Sequence, residues 1–397
     1  MSQGKIKPKE DAGIVLSNLV SLLNGHPRPS PEDVISDAFR DNLHRALSVP
    51  GIKPNLPTDI QVVRSWSGHD GVDGQLISYS SPLGGPKIEA YVLRPSNNRA
   101  PLPGVMALHC HGNFKLLGKE KIADDNSGPP EEIKRYRDNA YGGRAFANEL
   151  AKSGYVVLVP DTFLWGSRRL DEGVIPEFFS DAGQILGSHN RFRSKLPRAA
   201  NFDELSANLA RDTTFEPHVE SFLRSIGSSL AAVVNLEDRV SARVLQSLPG
   251  VKDPERIASI GLSGGGNRTG LLLATDDSVK IGVIAGMMGT YSGLRQSGAW
   301  WTHSWLFYPP NIPGEPTWEW PDIVGSGAKT KSLCCLNNNQ DPLFDREGQQ
   351  HANKRLADIY RAASRDAAFR SFDYEGHHKF DVAMQEEAFR FLREFLI

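Results

Sequence analysis

The chain contains 397 residues, with 45 Lys and Arg against 47 Asp and Glu and a formal net charge of −2 at pH 7. This balance gives no general attraction to nucleic acid or to an anionic membrane surface. The apolar fraction of 39% and the charged fraction of 23% are those of a soluble globular protein, and they exclude a disordered chain or a coiled coil.

Cysteine usage and the lack of long apolar segments favour a cytoplasmic protein. Only three cysteines are present, two of them adjacent at Cys334 and Cys335, which is too few for a disulfide framework. No stretch approaches the ~18 consecutive apolar residues that span a bilayer. The polar residues 1–10 are not followed by the apolar core of a signal peptide. We therefore expect a cytoplasmic location and no membrane partner.

The first 60 residues are predicted to form a helical extension. Apolar residues of the segment 14–23 fill one broad helical face, and Gly25 ends it. Ser30 and Pro31 then offer a cap and a first helical position for a second helix, which is expected to end near residue 50. These helices could cover the main domain or join identical subunits, and the pattern does not choose between the two.

Residues 61–397 alternate between predicted strands and predicted helices. Such alternation is typical of an α/β domain with a mostly parallel central sheet and helices on both faces. Two irregular segments, 167–217 and about 290–322, are expected to be cap-like insertions over one end of the sheet. The predicted strands are 61–67, 75–81, 87–94, 104–108, 155–159, 257–261, 281–284, 332–336 and 368–374, and the predicted helices are 143–152, 237–248, 264–274 and 349–362.

The strongest chemical signal is a G-x-S-x-G motif at residues 261–265, centred on Ser263. The motif follows an apolar strand and precedes a helix, which is the context in which a sharp turn exposes a nucleophilic serine at the end of a sheet. Glycine removes the side chains that would collide in such a turn. The alternative is a closely packed turn without chemistry, or a phosphate-binding loop, but no lysine follows as a phosphate loop requires.

A serine hydroxyl needs a base and an orienting acid, and in this architecture both follow the serine in the chain. His377 and His378 come after the last predicted strand, and the residues alone do not decide between them. Asp341 follows the strand 332–336, with Asp345 close by as a substitute. The order of serine, acid and histidine, each after its own strand, predicts a catalytic triad.

From about residue 60 onward the chain resembles the α/β-hydrolase superfamily, and within it the dienelactone hydrolase and acetyl xylan esterase-like enzymes. The resemblance implies an α/β-hydrolase fold, with Asp341 as the acid and His378 as the catalytic histidine. It also implies an oxyanion hole formed by the backbone N–H groups of Asn113 and Gly264. The segments that carry it are Leu-His-Cys-His-Gly (108–112), Gly-Tyr-Val-Val-Leu-Val-Pro-Asp (154–161), Gly-Leu-Ser-Gly-Gly (261–265), Asp-Pro-Leu-Phe (341–344) and Gly-His-His-Lys-Phe (376–380).

Residues around the predicted triad are expected to shape a substrate pocket, although the aromatic cluster near residue 300 could equally pack an insertion onto the sheet. His109 and His111 have the spacing of two metal ligands, but no acidic or cysteine partners accompany them. We expect no metal and no cofactor. The predicted pocket residues are His111, Phe114, Trp165, Trp300, Trp301, Trp305 and His377.

The function expected from these features is hydrolysis of a small carboxylic ester through an acyl-enzyme intermediate. A lactonase or dienelactone hydrolase activity, an amidase or peptidase, and a non-catalytic binding module are the alternatives. The expected partner is a small-molecule ester, and an assembly of identical subunits is compatible with the sequence.

Overall fold

The architecture was analysed in a computed structural model that describes residues 28–98, 100–112, 115–169, 216–296 and 317–397. Within these residues one nine-stranded sheet has the order β1-β2-β3-β5-β4-β6-β7-β8-β9. Strands β1 to β3 pair antiparallel, β3 pairs antiparallel with β5, and the remaining strands are parallel. The strands are β1 (Gln61–His69), β2 (Val72–Tyr79), β3 (Ile88–Pro95), β4 (Gly104–Leu108), β5 (Val156–Pro160), β6 (Ile257–Leu262), β7 (Val279–Ala285), β8 (Ser332–Asn338) and β9 (Phe369–Tyr374).

Helices cover both faces of the sheet, as the alternation in the sequence predicts. The helices in the described residues are α1 (Pro31–Val34), α2 (Asp37–Ala46), α3 (Glu131–Ala140), α4 (Phe146–Lys152), α5 (Glu216–Ser225), α6 (Leu230–Ser247), α7 (Gly264–Thr275), α8 (Tyr291–Gln296), α9 (Trp320–Gly325), α10 (Arg346–Ala362) and α11 (Val382–Leu396). One buried apolar cluster joins one face of the sheet to α1, α2, α6, α7, α9 and α10, and a second joins the other face to α4 and α11. Two apolar layers around a mostly parallel sheet define the α/β class. No helix in these ranges combines the length and apolarity that crossing a membrane requires.

The N-terminal segment is divided where one continuous helix was predicted after Ser30. Helix α1 ends at Val34, and α2 begins at Asp37. Ser36 separates them because its backbone is extended and its hydroxyl accepts the N–H of Phe39 at 3.2 Å, which caps a new helix. Phe39 and Leu43 are buried in the main core, so this part of the extension packs on the sheet's helices. The predicted helix within 14–23 lies outside the described residues.

The bounds of the predicted strands agree with the structure within three residues, and so do those of three of the four predicted helices. Helix α6 begins at Leu230, seven residues before the predicted start, because Ser229 caps it by accepting the N–H of Ala232 at 3.1 Å. The predicted insertions fall mainly on 170–215 and 297–316, which are outside the described residues. At the end of the second predicted insertion, Trp318 and Trp320, the first residue of α9, are buried in the core.

Strand β1 lies at one edge of the sheet and pairs with β2. Its register against β2 shifts between Val62 and Arg64 and again between Trp66 and His69. The side chains of Val62 and Val63 on this strand are more than half exposed. Strand β9 lies at the other edge of the sheet. Strand β6, which ends directly before Ser263, lies in the interior of the sheet between β4 and β7.

Candidate active site

Ser263 lies on a strained turn between β6 and α7. Its backbone has φ 54° and ψ −115°, a conformation that a residue with a side chain rarely adopts. Its N–H donates to the carbonyl of Ala285 at 2.8 Å, and its own carbonyl accepts the N–H of Asn267 at 2.8 Å. The surrounding backbone therefore holds the turn in place, and the serine comes directly before the N-terminus of a twelve-residue helix.

Two glycines of the motif are required by close backbone contacts. A Cβ at Gly265 would lie 2.0 Å from the carbonyl oxygen of Leu108, and a Cβ at Gly261 would lie 2.5 Å from the carbonyl carbon of Gly265. Both distances are far below van der Waals contact. The first turn of α7 thus packs directly on the ends of β4 and β6, which positions Ser263 at the carboxyl edge of the sheet.

Asp341 and His378 form a hydrogen-bonded pair. The Nδ1–H of His378 donates to Oδ2 of Asp341 at 2.6 Å. The other oxygen, Oδ1, accepts the N–H groups of Leu343 at 2.8 Å and of Phe344 at 3.3 Å. The side chain of Asp341 is fully buried, whereas that of His378 is 18% exposed. The Phe344 ring stacks on the imidazole with centroids 5.8 Å apart, which fixes the plane of the ring.

Gly286 joins this pair to the nucleophile turn. It follows β7 with φ +52°, and a Cβ at this position would lie 3.2 Å from Cε1 of His378 and 2.9 Å from Cδ1 of Leu262. The imidazole therefore packs beside the residue that precedes Ser263, over a backbone that has no side chain. Sequence reasoning did not identify Gly286, although a glycine directly after an apolar strand was an available signal.

The neighbouring candidates occupy other positions. His377 is exposed, and its Nε2 donates to the carbonyl of Asn139 at 3.2 Å. Asp345 is the N-cap of α10, where Oδ2 accepts the N–H of Gly348 at 2.9 Å. The structure thus brings together His378 and Asp341, and it assigns the two substitutes to a surface contact and a helix cap.

The predicted oxyanion donors come from two elements. Gly264 is the first residue of α7, at the end of the helix where the dipole favours negative charge. Gly112 turns the chain after β4 with φ +68°, immediately before Asn113. Asn113, and the predicted pocket residues Phe114, Trp300, Trp301 and Trp305, lie outside the described residues.

Of the three remaining predicted pocket residues, His377 is the exposed side chain described above, whereas His111 and Trp165 lie in a buried polar cluster. Nε2 of His111 donates to Oε2 of Glu216 at 2.8 Å, and Nζ of Lys115 donates to the same oxygen at 2.7 Å. Nζ of Lys115 also lies 3.5 Å from the centroid of the Trp165 ring. Burial lowers the pKa of His111 and favours the neutral imidazole. Although burial would raise the pKa of Glu216, the charge of Lys115 and the hydrogen bonds from His111 and Lys115 hold that pKa low, so the carboxylate stays ionised.

Asp161, the last residue of the segment 154–161, is a buried carboxylate. Its Oδ1 accepts the N–H of Lys119 at 2.8 Å, and its Oδ2 accepts Nζ of Lys119 at 3.0 Å and the N–H of Ser167 at 2.9 Å. Gly118 and Gly166 approach so closely that a Cβ on either would lie within 2.5 Å of the carboxylate. Asp161 therefore ties the loop after β4 to the loop after β5.

His109 and His111 have different hydrogen-bond partners. Nδ1 of His109 donates to the carbonyl of Cys110 at 3.0 Å, while His111 contacts Glu216. Across the parts of the chain that the structure describes, no group of three His, Cys, Asp or Glu side chains is arranged to hold a metal ion. Cys110 is buried with its Sγ 2.7 Å from the hydroxyl of Tyr136, and the cysteines are free thiols.

Comparisons with known proteins agree with this architecture. No family model matches the sequence. The chain is 22% identical over 314 residues to "Putative hydrolase YtaP" of Bacillus subtilis (strain 168), covering 78% of this chain and 84% of the relative. It superposes with a TM-score of 0.59 on a "putative acetyl xylan esterase" from Bacteroides fragilis NCTC 9343 (15% identity; 89% of this chain, 80% of the other). It superposes equally well on a glucuronoyl esterase from Solibacter usitatus (13% identity; 93% and 98%).

These similarities define the class to which the fold belongs. The chain has the α/β-hydrolase fold, as its sequence predicts. Within that fold it is similar in structure to solved acetyl xylan and glucuronoyl esterases.

Proposed function

We propose that this protein is a serine esterase that cleaves a small carboxylic ester through an acyl-enzyme intermediate. The observation that carries the proposal is the strained turn at Ser263 together with the imidazole of His378, which packs beside Gly286 and whose Nδ1 is held by a buried carboxylate. A positive φ at a serine between a strand and a helix is costly, and such strain is concentrated at functional sites. The esterase names of the structural neighbours support the same reaction class.

The proposed mechanism assigns one role to each of three side chains. Nε2 of His378 takes the proton of Ser263 as the serine oxygen attacks the ester carbonyl. Asp341 holds Nδ1–H, which fixes the tautomer and stabilises the imidazolium that forms. His378 then gives the proton to the leaving alcohol, and water activated by the same nitrogen releases the acyl group.

The developing oxyanion needs backbone donors. The N–H groups of Gly264 and Asn113 are proposed to bind it, and removing one such donor typically costs about 3 kcal/mol of transition-state stabilisation. The reaction requires no metal or cofactor, because the triad supplies the nucleophile, base and acid.

The neighbours' printed names suggest where to begin the search for substrates. They describe acetyl xylan, methyl and glucuronoyl esterases, so acetylated xylo-oligosaccharides and methyl glucuronate are suitable first compounds. A γ- or δ-lactone in the same panel tests the ring-opening alternative, in which the leaving alcohol remains attached to the acyl group.

The test is hydrolysis of p-nitrophenyl esters of graded chain length by the wild type and by Ser263→Ala. We expect kcat for Ser263→Ala to fall at least 1,000-fold, on the order of losses seen when a catalytic serine is removed. A fluorophosphonate should also add one phosphonyl group to Ser263 of the wild type, which mass spectrometry of the digested protein would locate. Undiminished hydrolysis by a folded Ser263→Ala variant would refute the serine mechanism.

A further inference from the structure

The carbonyl oxygen of His111 accepts hydrogen bonds from two buried side chains on separate segments. Nζ of Lys121 donates to it at 2.8 Å, and Nε1 of Trp165 donates to it at 3.0 Å. Lys121 is completely buried, and Trp165 is 1% exposed. This carbonyl is two residues before Asn113, the proposed oxyanion donor, so it belongs to the backbone that leads into the oxyanion turn.

Burying a lysine costs free energy, because its charged form loses its hydration. Burial lowers the pKa of Lys121 to about 7, because a buried site disfavours its charged form. Its Nζ also lies 3.4 Å from the carbonyl oxygen of Cys110. The amine therefore holds two consecutive carbonyls just after β4. A methionine could fill the same volume, but it could not donate these hydrogen bonds.

The backbone turn at Gly112 packs against the side chain of Lys121. Gly112 has φ +68°, and a Cβ there would lie 3.2 Å from Cε and Nζ of Lys121 and 3.2 Å from the hydroxyl of Tyr136. The chain changes direction at Gly112, so holding the preceding peptide also holds the start of this turn. The side chain of His111 is held as well, through its contact with Glu216.

We propose that Lys121 and Trp165 are positioning residues for the oxyanion turn. By fixing the carbonyl of His111, they hold the backbone that leads into the residue proposed to supply the second oxyanion donor. This inference rests on the proposed esterase function and adds to it the residues that support one half of the oxyanion hole. Neither side chain touches the substrate in this role, because both are buried behind the turn.

The position of this backbone matters because an oxyanion donor stabilises the transition state only if it is oriented toward the oxyanion before the reaction. A catalytic group must be held within about 0.5 Å of its productive position to contribute fully. Loosening the turn should therefore weaken binding of the transition state while leaving binding of the ground-state ester nearly unchanged.

The chain provides a matched control in Lys331. This lysine is also completely buried, and burial lowers its pKa to about 7. Its Nζ donates to the carbonyls of Leu273 at 2.7 Å and of Asp276 at 2.5 Å. Lys331 directly precedes β8, so it lies at the amino ends of the parallel strands, whereas Ser263 lies at their carboxyl ends. Lys331→Met thus removes the same kind of contacts far from the site.

The experiment compares Lys121→Met, Trp165→Phe, the double variant and Lys331→Met in the full chain. For Lys121→Met we expect kcat for a p-nitrophenyl ester to fall about 10- to 100-fold, with KM changed less than about threefold. Trp165→Phe should lose less, since Lys121 still holds the carbonyl. The double variant should lose less than the product of the two single losses, because both donors act on one oxygen. Lys331→Met should keep the wild-type kcat.

An aryl trifluoromethyl ketone adds a readout that a purely structural role would not move. The oxygen of Ser263 adds to the ketone carbon, its proton passes to His378, and the former carbonyl oxygen becomes an oxyanion. The inhibition constant should rise for Lys121→Met by the same factor by which kcat/KM falls, as transition-state analogues require. It should stay unchanged for Lys331→Met.

The outcomes separate this inference from the proposed function. If Ser263→Ala abolishes activity while folded Lys121→Met and Trp165→Phe keep the wild-type kcat and ketone affinity, the inference is wrong and the esterase function stands. If Lys121→Met fails to fold, Trp165→Phe decides by the same two measurements. Activity that survives Ser263→Ala overturns the proposed function and this inference together.

Discussion

The two carboxylate oxygens of Asp341 have different partners: Oδ2 accepts the Nδ1–H of His378 at 2.6 Å, whereas Oδ1 accepts the N–H of Leu343 at 2.8 Å. The backbone contact orients the carboxylate, which leaves the second oxygen directed at the imidazole. The side chain is fully buried, so water does not compete for either oxygen.

Replacing this acid should therefore remove activity without a large loss of structure. For Asp341→Asn we expect kcat to fall about 10,000-fold, because the amide no longer selects the required tautomer of His378. Asp345→Asn is the matched control, since asparagine also caps helices well and the cap of α10 should persist. Ester hydrolysis under saturating substrate measures both. Equal activity of the two variants would contradict the assignment.

Substitutions of the adjacent residues His377 and His378 should have very different effects on kcat. His378→Ala removes the proposed base and should lower kcat by at least 1,000-fold, on the order of the loss found when a triad histidine is removed. His377→Ala removes an exposed side chain whose contact is the carbonyl of Asn139, so kcat should stay close to wild type. A larger loss at residue 377 would reverse the choice between them.

The strained turn at Ser263 predicts that stability and activity oppose each other. Ser263→Gly and Ser263→Ala should both be inactive, but only glycine adopts a φ of +54° without strain. We expect the free energy of unfolding of Ser263→Gly to be about 1 kcal/mol higher than that of Ser263→Ala. This difference already includes the greater conformational entropy that glycine has in the unfolded chain. Urea unfolding of both proteins measures the difference, and a less stable glycine variant would argue against strain.

Gly265 should tolerate no side chain. Its Cβ would lie 2.0 Å from the carbonyl oxygen of Leu108, so Gly265→Ala must displace α7 from β4. We expect a loss of more than about 3 kcal/mol in unfolding free energy, typical of severe overpacking. Gly289→Ala is the control, because its nearest neighbours would lie at 3.8 Å, an ordinary contact. Similar melting temperatures for the two variants would refute the predicted clash.

The buried amine of Lys331 predicts a pH dependence of stability. Its folded-state pKa of about 7 is below the ordinary value of 10.5, so between these values the unfolded chain binds more protons and stability rises with pH. Arg40 and Lys280 disfavour its charge, whereas Asp276 and Asp277 favour it. Lys331→Met should lower the slope of unfolding free energy by about 1 kcal/mol per pH unit between pH 7 and 10. Parallel wild-type and variant curves from urea titrations in that range would contradict this.

Much of the sheet could be predicted because buried strands have a simple sequence pattern. The apolar run of β4 coincides with its predicted bounds, and the runs of β6 and β8 differ from theirs by one or two residues. The start of helix α6 was harder to predict. The apolar start of α6 has no polar face to show helical periodicity, because even Glu237 and Asp238 on this helix are buried. The break at Ser36 depends on a single cap.

The nucleophile turn could be predicted from spacing, whereas its support could not. Ser263 is marked by glycines that local sterics require, and these residues are close in sequence. Lys121, Asp161 and Glu216 are polar residues that ordinarily would be placed on the surface. Their burial depends on pairing across the fold: Glu216 meets Lys115 from a segment 101 residues earlier. No local pattern reports such a contact.

The irregular pairing of β1 affects how molecules meet in solution. A free sheet edge presents a row of unpaired N–H and C=O groups, and such a row can recruit a strand from another molecule. The two register shifts in β1 interrupt that row, and Arg64 between them adds a charge that pairs with Asp125. Without the register shifts and this charge, the exposed side chains of Val62 and Val63 would favour association of this edge with another molecule. The sheet is thus discouraged from growing into a continuous ribbon when the protein is concentrated.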